Sequence, residues 1–314
     1  MKIFPLSISS LVCRAIALGV GGSLLAAGSI CAQEHPVEKI AQGELPSLLA
    51  IYKDIHSHPE LSTRAEKTSA LVAKELRGAG CEVTENFGKY DNPNLKCYGV
   101  VGIMKNGTGP TVMVRTDLDA LPVEEDTGLP YASKVTTKAD NGREVHVMHA
   151  CGHDAHMSAF IGTARALQRL KDQWSGTIMF IGQPAEETVG GARALLKAGL
   201  YNRFGKPDFA LGFHDKSDLQ TGRIGVTEGY TYANVDSVNI TVRGIGGHGA
   251  YPHRTKDPIV LSAEIINALQ TIASRSKLLN LHAGISARWP RLCKATTAVV
   301  FCCAPKRLRT NFRI

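Results

Sequence analysis

The sequence predicts an α/β sandwich followed by a second, smaller α/β unit. Between residues 63 and 213, helical periods alternate with short apolar runs bounded by turn residues, the pattern of helices layered on a sheet. The ionisable residues of that stretch gather at or just after the ends of the apolar runs, where open α/β sheets carry their ligands. Past about Gly229 the pattern changes to a half-exposed strand and then a capped helix, which marks the smaller unit.

At the amino end, Met1 and Lys2 precede a Gly/Ala-rich apolar run from Ala15 to Ala27, then Ser29-Ile30-Cys31-Ala32 and a polar stretch from Gln33. This is the pattern of a cleavable signal peptide over 1–32, with a cut after Ala32 and a periplasmic or secreted product. The run is too short and glycine-rich for a stable membrane span. An acylated Cys31 competes with this reading, although Ile30 suits lipidation poorly.

Thr63 with Glu66 forms a capping-box pattern opening a helix whose apolar face is Leu71, Val72 and Leu76, and Gly78 and Gly80 stop it. Apolar runs at 97–104 and 111–115 read as strands, and Lys105 to Pro110 between them is turn chemistry of the kind that joins hairpins. A helix over 157–170, a buried strand at 177–181, a helix near 192–198 and a strand at 209–213 continue the alternation. Val238, Ile240 and Val242 then alternate with polar residues, and Asp257-Pro258 opens a helix to about Arg275. Beyond Ser274 no helical or strand period is expected.

Composition excludes several classes. With 44% apolar residues the chain is not disordered. The formal charge of +8 is local: nine basic residues and no acid lie in 275–314, and Lys2 and Arg14 lie in the leader. The body, 33–274, then holds 25 of the 36 basic residues against all 28 acidic ones, which gives nucleic-acid binding no support. Cys81, Cys97 and Cys151, the body's three cysteines, do not make a disulfide framework.

Four segments carry the chemistry. Asp117 and Asp119 follow the second strand, two carboxylates that can orient metal-binding imidazoles or cap the following loop. His149-Ala150-Cys151-Gly152-His153-Asp154-Ala155-His156 packs three imidazoles, a thiol and a carboxylate into eight residues. Thiolate and imidazole suit zinc and similar ions, and Gly152 lets the backbone bend so that Cys151 and His153 face one centre. A rival reading makes Cys151 a nucleophile activated by a histidine. In Gln183-Pro184-Ala185-Glu186-Glu187, one glutamate can bind metal while its neighbour moves a proton. Finally, a strand ends at His214, followed by Asp215, which can orient its ring.

In this order, Asp-x-Asp-Ala-Leu-Pro, His-Ala-Cys-Gly-His-Asp, Gln-Pro-Ala-Glu-Glu and Gly-x-His resemble the metal-dependent amidohydrolases and metallopeptidases that include hippurate hydrolase, N-acyl-amino-acid amidohydrolase and indole-acetyl-amino-acid hydrolases. The resemblance begins with Ile55-His56-Ser57-His58-Pro59-Glu60-Leu61, extends through Gly246 to His253, and covers roughly 49–275. It implies a zinc-exopeptidase-like sandwich with an inserted dimerisation or lid domain, and two divalent ions (zinc, manganese, cobalt or nickel). It further implies hydrolysis of the amide bond of N-acyl amino acids or small peptides by a homodimer. Cys151, His153, Glu187 and His214 would be metal ligands, Glu186 the general base, and Asp119 and Asp117 would lie behind the ligands. His248 would reach a neighbouring subunit's substrate and stabilise its oxyanion, and His253 would be structural.

The expected layout is therefore a catalytic metal-binding domain over 33–228, the start of a lid over 229–274, and an aberrant basic tail over 275–314. Family members run on further, to another metal-binding histidine, whereas His282 is the tail's one histidine and sits in no comparable segment. On that ground the lid is expected to be incomplete and the chain truncated or frameshifted, with an inactive metal- or peptide-binding remnant as the alternative to an enzyme.

Overall fold

The computed structural model describes residues 2–5, 35–226, 234–275, 285–288 and 296–303. The expected leader beyond residue 5 and His282 lie outside the described residues. The strands are β1 (Lys2–Pro5), β2 (Glu82–Phe87), β3 (Gly99–Asn106), β4 (Thr111–Asp117), β5 (Thr136–Lys138), β6 (Glu144–His146), β7 (Gly176–Gln183), β8 (Phe209–Gly212), β9 (Arg223–Val226), β10 (Asn234–Thr241), β11 (Ile285–Arg288) and β12 (Thr296–Cys303). The α-helices are α1 (Pro36–Ser57), α2 (Glu66–Gly78), α3 (His153–Arg169), α4 (Gly191–Lys197), α5 (Leu200–Phe204) and α6 (Pro258–Arg275). The chain divides into two compact units, one of residues 7–220 and one of residues 1–6 and 221–314. No described helix is long and apolar enough to cross a membrane.

The larger unit is built on a mixed sheet in the order β2-β3-β7-β4-β8. β7 alternates its side chains between two cores: Ile178 and Phe180 join α1, α2 and α3 on one face, through Ile55, Val72, Leu76, Met157 and Ile161. Met179 and Ile181 face the other way, with Phe87, Leu195 and Leu200. A strand buried on both faces reads as a continuous apolar run, which is why Thr-Ile-Met-Phe-Ile shows no alternation. The α/β sandwich expected from the sequence is therefore the observed architecture, and β4 runs parallel to both β7 and β8.

Four local expectations are corrected. The strands flanking the Lys105–Pro110 turn do not pair with each other, because β7 lies between them, antiparallel to β3 and parallel to β4. The turn thus bridges one intervening strand. The capping box does not form: Thr63 has a left-handed backbone, φ 64°, and α2 begins after Ala65, which makes no side-chain cap. Glu60 replaces it, its carboxylate accepting from the backbone N–H of Thr68 at 2.8 Å and of Lys67 at 3.3 Å, where negative charge suits the helix dipole. Helix α3 starts at His153, four residues earlier than the apolar period indicated, because its first turn is spent on polar residues. The stretch past Ser274, expected to lack regular structure, contains β11 and β12, and the apolar run Thr-Thr-Ala-Val-Val-Phe-Cys-Cys of β12 pairs antiparallel with β10 along eight positions.

Other stops and starts follow their residues. Gly80 has φ 81°, Cys81 N–H bonds Leu76 O and Gly80 N–H bonds Arg77 O, which closes α2 in a Schellman motif. Asp257 accepts from Ile259 N–H at 2.8 Å and opens α6. In the smaller unit, β10, β12 and β11 form one antiparallel sheet, and β1 pairs with β9. At the outer side of the large sheet, β8 exposes Phe209 and Leu211, and among the described residues it has a sheet partner only in β4.

Candidate metal centre

Parallel β4, β7 and β8 bring their carboxyl ends to one edge of the sheet, so the segments that follow them converge there. Asp117 ends β4 and Asp119 lies two residues on; Glu186 and Glu187 follow β7; His214 and Asp215 follow β8. The first turn of α3, entered through Gly152 at φ 72°, delivers Cys151 and His153 to the same place. A side chain at position 152 would collide with the Asp215 carboxylate, its Cβ falling 2.4 Å from Oδ1. Glycine is therefore required there by both backbone and space.

His153 is the hub. It is fully buried, and its Nδ1–H donates to the Asp119 backbone carbonyl at 2.6 Å, which fixes the tautomer and leaves Nε2 with a free lone pair. Around that nitrogen stand Glu187 Oε1 at 3.8 Å, Asp117 Oδ2 at 3.9 Å and Glu186 Oε2 at 4.0 Å. Asp119 spends one carboxylate oxygen on the Glu187 N–H, 3.0 Å, and on the Ser62 hydroxyl. It thus ties the β4 loop to the glutamate segment. His214 donates through Nδ1–H to the Asp215 carbonyl at 2.7 Å, leaving its Nε2 3.5 Å from Cys151 Sγ.

These donors form overlapping clusters whose ligand atoms lie within 4.8 Å of one another: Cys151, His153 and His214; His153, Glu186 and Glu187; Asp117, His153 and His156; His156, His214 and Asp215. His156 was not singled out from the sequence. The signal becomes visible once α3 is seen to start at His153, since positions three apart share a helix face. His248, by contrast, lies in the other compact unit, where its Nδ1 accepts from Ala250 N–H at 3.1 Å. His253 is exposed on a short turn beside Tyr251.

The electrostatics call for a cation. Burial lifts Asp117 to about 6 even though Arg115 and His153 pull the other way. Burial, then Glu187, pushes the Cys151 thiol up to about 12, and burial with Glu186 raises Glu187 although His153 opposes them. His153 Nε2, Asp119 Oδ1 and Glu187 Oε1 are all buried with no hydrogen-bond partner among the described residues. Bare acceptors crowded by carboxylates are what a divalent cation neutralises, and a thiol, imidazoles and carboxylates are the donor set of zinc and its neighbours. The residues present fit such ions. The geometry places Cys151 Sγ inside this donor set, in one cluster with His153 and His214 and 3.5 Å from His214 Nε2, which favours a ligand over the rival nucleophile.

The model of peptidase family M20/M25/M40 matches residues 113–307, so the likeness runs past Arg275, where the motifs end. The chain is 39% identical over 229 residues to an N-acetylcysteine deacetylase of Bacillus subtilis, covering 73% of this chain and 56% of the relative. It is 38% identical over 236 residues to a hippurate hydrolase of Campylobacter jejuni, covering 75% and 56%. The chain thus spans little more than half the length of the curated relatives it matches. Among solved structures, a dinuclear metal binding peptidase of the M20 family from Bacillus subtilis is 31% identical, with a TM-score of 0.57 over 83% of this chain and 64% of that one.

Proposed function

We propose, since this chain belongs to peptidase family M20/M25/M40, that it hydrolyses the amide bond of N-acyl amino acids or small peptides with the help of two divalent metal ions. The observation that carries the reading is the convergence around His153 of ligand atoms from three parallel strand ends and one helix start, of which His153 Nε2, Asp119 Oδ1 and Glu187 Oε1 have no hydrogen-bond partner among the described residues. Relatives named for deacetylation of N-acetylcysteine and for hydrolysis of hippurate support the substrate class.

In this reading Cys151, His153, Glu187 and His214 would hold the ions, which would supply polarisation of the scissile carbonyl and a lowered pKa for the attacking water. Glu186 stands 4.0 Å from His153 Nε2 and is more exposed than Glu187, so its carboxylate is free to take the water's proton and return it to the leaving amine. Asp119 orients His153 through its carbonyl and Glu187 through its carboxylate, and Asp117 adds charge on the Nε2 side of the ring, 3.9 Å from that nitrogen. His248 takes the oxyanion role that the resemblance gives it, in a homodimer, and the leader directs the product out of the cytoplasm.

The test is release of free amine from N-acetyl- and N-benzoyl-amino acids by manganese-, zinc-, cobalt- or nickel-loaded protein, with and without chelator. Glu186→Gln is expected to lower kcat by roughly 10²-fold or more while leaving metal content unchanged. An unaltered rate in that variant, or turnover indifferent to chelator, overturns the assignment.

A further inference from the structure

Beside the metal centre lies a second buried cluster that the proposed mechanism does not use. His56, near the end of α1, sits with Nδ1 2.6 Å from Asp154 Oδ2 and Nε2 3.0 Å from Glu125 Oε1. All three side chains are almost fully buried. An ionised carboxylate can only accept, so two such contacts draw a hydrogen from each ring nitrogen and favour the imidazolium form of His56. Tyr52 and Tyr131 pack on it, with ring centres 5.6 and 5.4 Å away.

Each arm of the cluster leads to the metal centre. Asp154 directly follows His153 in the first turn of α3. Glu125 accepts from Ser133 N–H at 2.6 Å, and the Ser133 hydroxyl donates to Val147 O at 2.7 Å, so this arm holds the chain that runs into His149 and Cys151. A buried ion triad is an expensive way to join a helix to a loop, since apolar packing of the same volume is often as stable or more so. What it adds is direction, because charged hydrogen bonds fix angles that apolar contacts leave loose.

We infer that His56 is a positioning residue for the metal centre: clamped between Glu125 and Asp154, it sets the first turn of α3 and hence the aim of His153 and Cys151. The inference rests on the metal reading above, and its test separates the two. Cobalt(II) added to the metal-free full-length protein reports ligand geometry through its visible bands and thiolate ligation through a near-ultraviolet charge-transfer band. In His56→Gln, cobalt affinity is expected to fall by roughly 10- to 100-fold, with shifted visible bands. Val72→Ala, a core truncation in α2 away from the clamp, controls for lost stability and is expected to leave affinity and bands in place. If His56→Gln does not fold, Asp154→Asn removes the same arm with little change of shape and is expected to shift the bands likewise. Wild-type affinity and bands in whichever of these variants folds overturn the clamp while leaving the metal reading intact. Absence of cobalt bands in the unaltered chain overturns both.

Discussion

The pocket around His56 and the centre around His153 are joined by one peptide bond, that between His153 and Asp154, yet they are opposites. In the pocket each ring nitrogen faces a carboxylate within 3.0 Å. In the centre the nearest carboxylate oxygen to His153 Nε2 stands 3.8 Å away, too far for a hydrogen bond and suited to an ion placed between them. Buried polar groups that are satisfied hold a fold in place, and those that converge unsatisfied are waiting for a ligand. The distinction between scaffold and site is here a matter of about one ångström.

The largest effect expected from breaking the contrast is His153→Ala. It removes the hub of three of the four ligand clusters, so metal content measured after desalting should fall to background. Retention of two ions per chain by that variant would show that the cluster is not where they bind.

pH should separate the buried histidines next. His149 is buried, both its ring nitrogens are unpartnered among the described residues, and burial, then His153, lowers it from 6.5 to about 3. The unfolded chain takes up a proton at this residue near pH 6.5 and the folded one does not, so His149 by itself costs the metal-free protein about 3 kcal/mol at pH 4, a loss that the raised Asp117 carboxyl opposes in part. For His56 burial acts downward, but the hydrogen bonds to Glu125 and Asp154 outweigh it and the net shift is upward. Its contribution is complete below the unfolded value of 6.5 and fades as pH rises through the raised folded one. Urea midpoints across pH 4–9 should therefore fall on the acid side in wild type, and His56→Gln should flatten the alkaline side alone. An alkaline limb unchanged by that substitution would mean the ring is not held as a cation.

The smallest effect lies in the loop after β7, where Ala185 at φ 61° and Val189 at φ 57° are left-handed, a conformation that β-branched residues resist. Val189→Gly should relieve about 1 kcal/mol, partly offset by glycine's greater freedom when unfolded. A loss of stability instead would indicate that the exposed valine side chain makes a contact the fold depends on.

Much of this was legible in advance, and the failures have physical reasons. The strand ends bearing Asp117, Glu186 and His214, the stop at Gly80 and the start at Asp257 rest on local chemistry. Sheet order does not: no residue near Lys105–Pro110 announces that β7 will come between its flanking strands. Helix α1 went unread because Gly43 and Pro46 interrupt it, and its stability comes from packing through Ile55 and Leu48 against the core. Glu60 displaced Thr63 as a cap because the helix begins after Ala65, and a carboxylate just upstream reaches the N–H groups of Lys67 and Thr68 in its first turn. His56 and Glu125 are 69 positions apart, and only the fold makes them partners.

Strand β8 has a practical consequence for anyone handling the chain. Its four residues, Phe-Ala-Leu-Gly, carry no charge, whereas the opposite edge strand, β2, has Glu82 and Glu85 and an irregular register between Thr84 and Phe87. Charges and bulges discourage stray pairing, and β8 has neither. Two copies of the chain meeting at that edge have matched hydrogen-bonding groups and exposed Phe209 and Leu211 to bury, so losses on concentration should begin there, and a lysine at Ala210 is the first solubility variant to make.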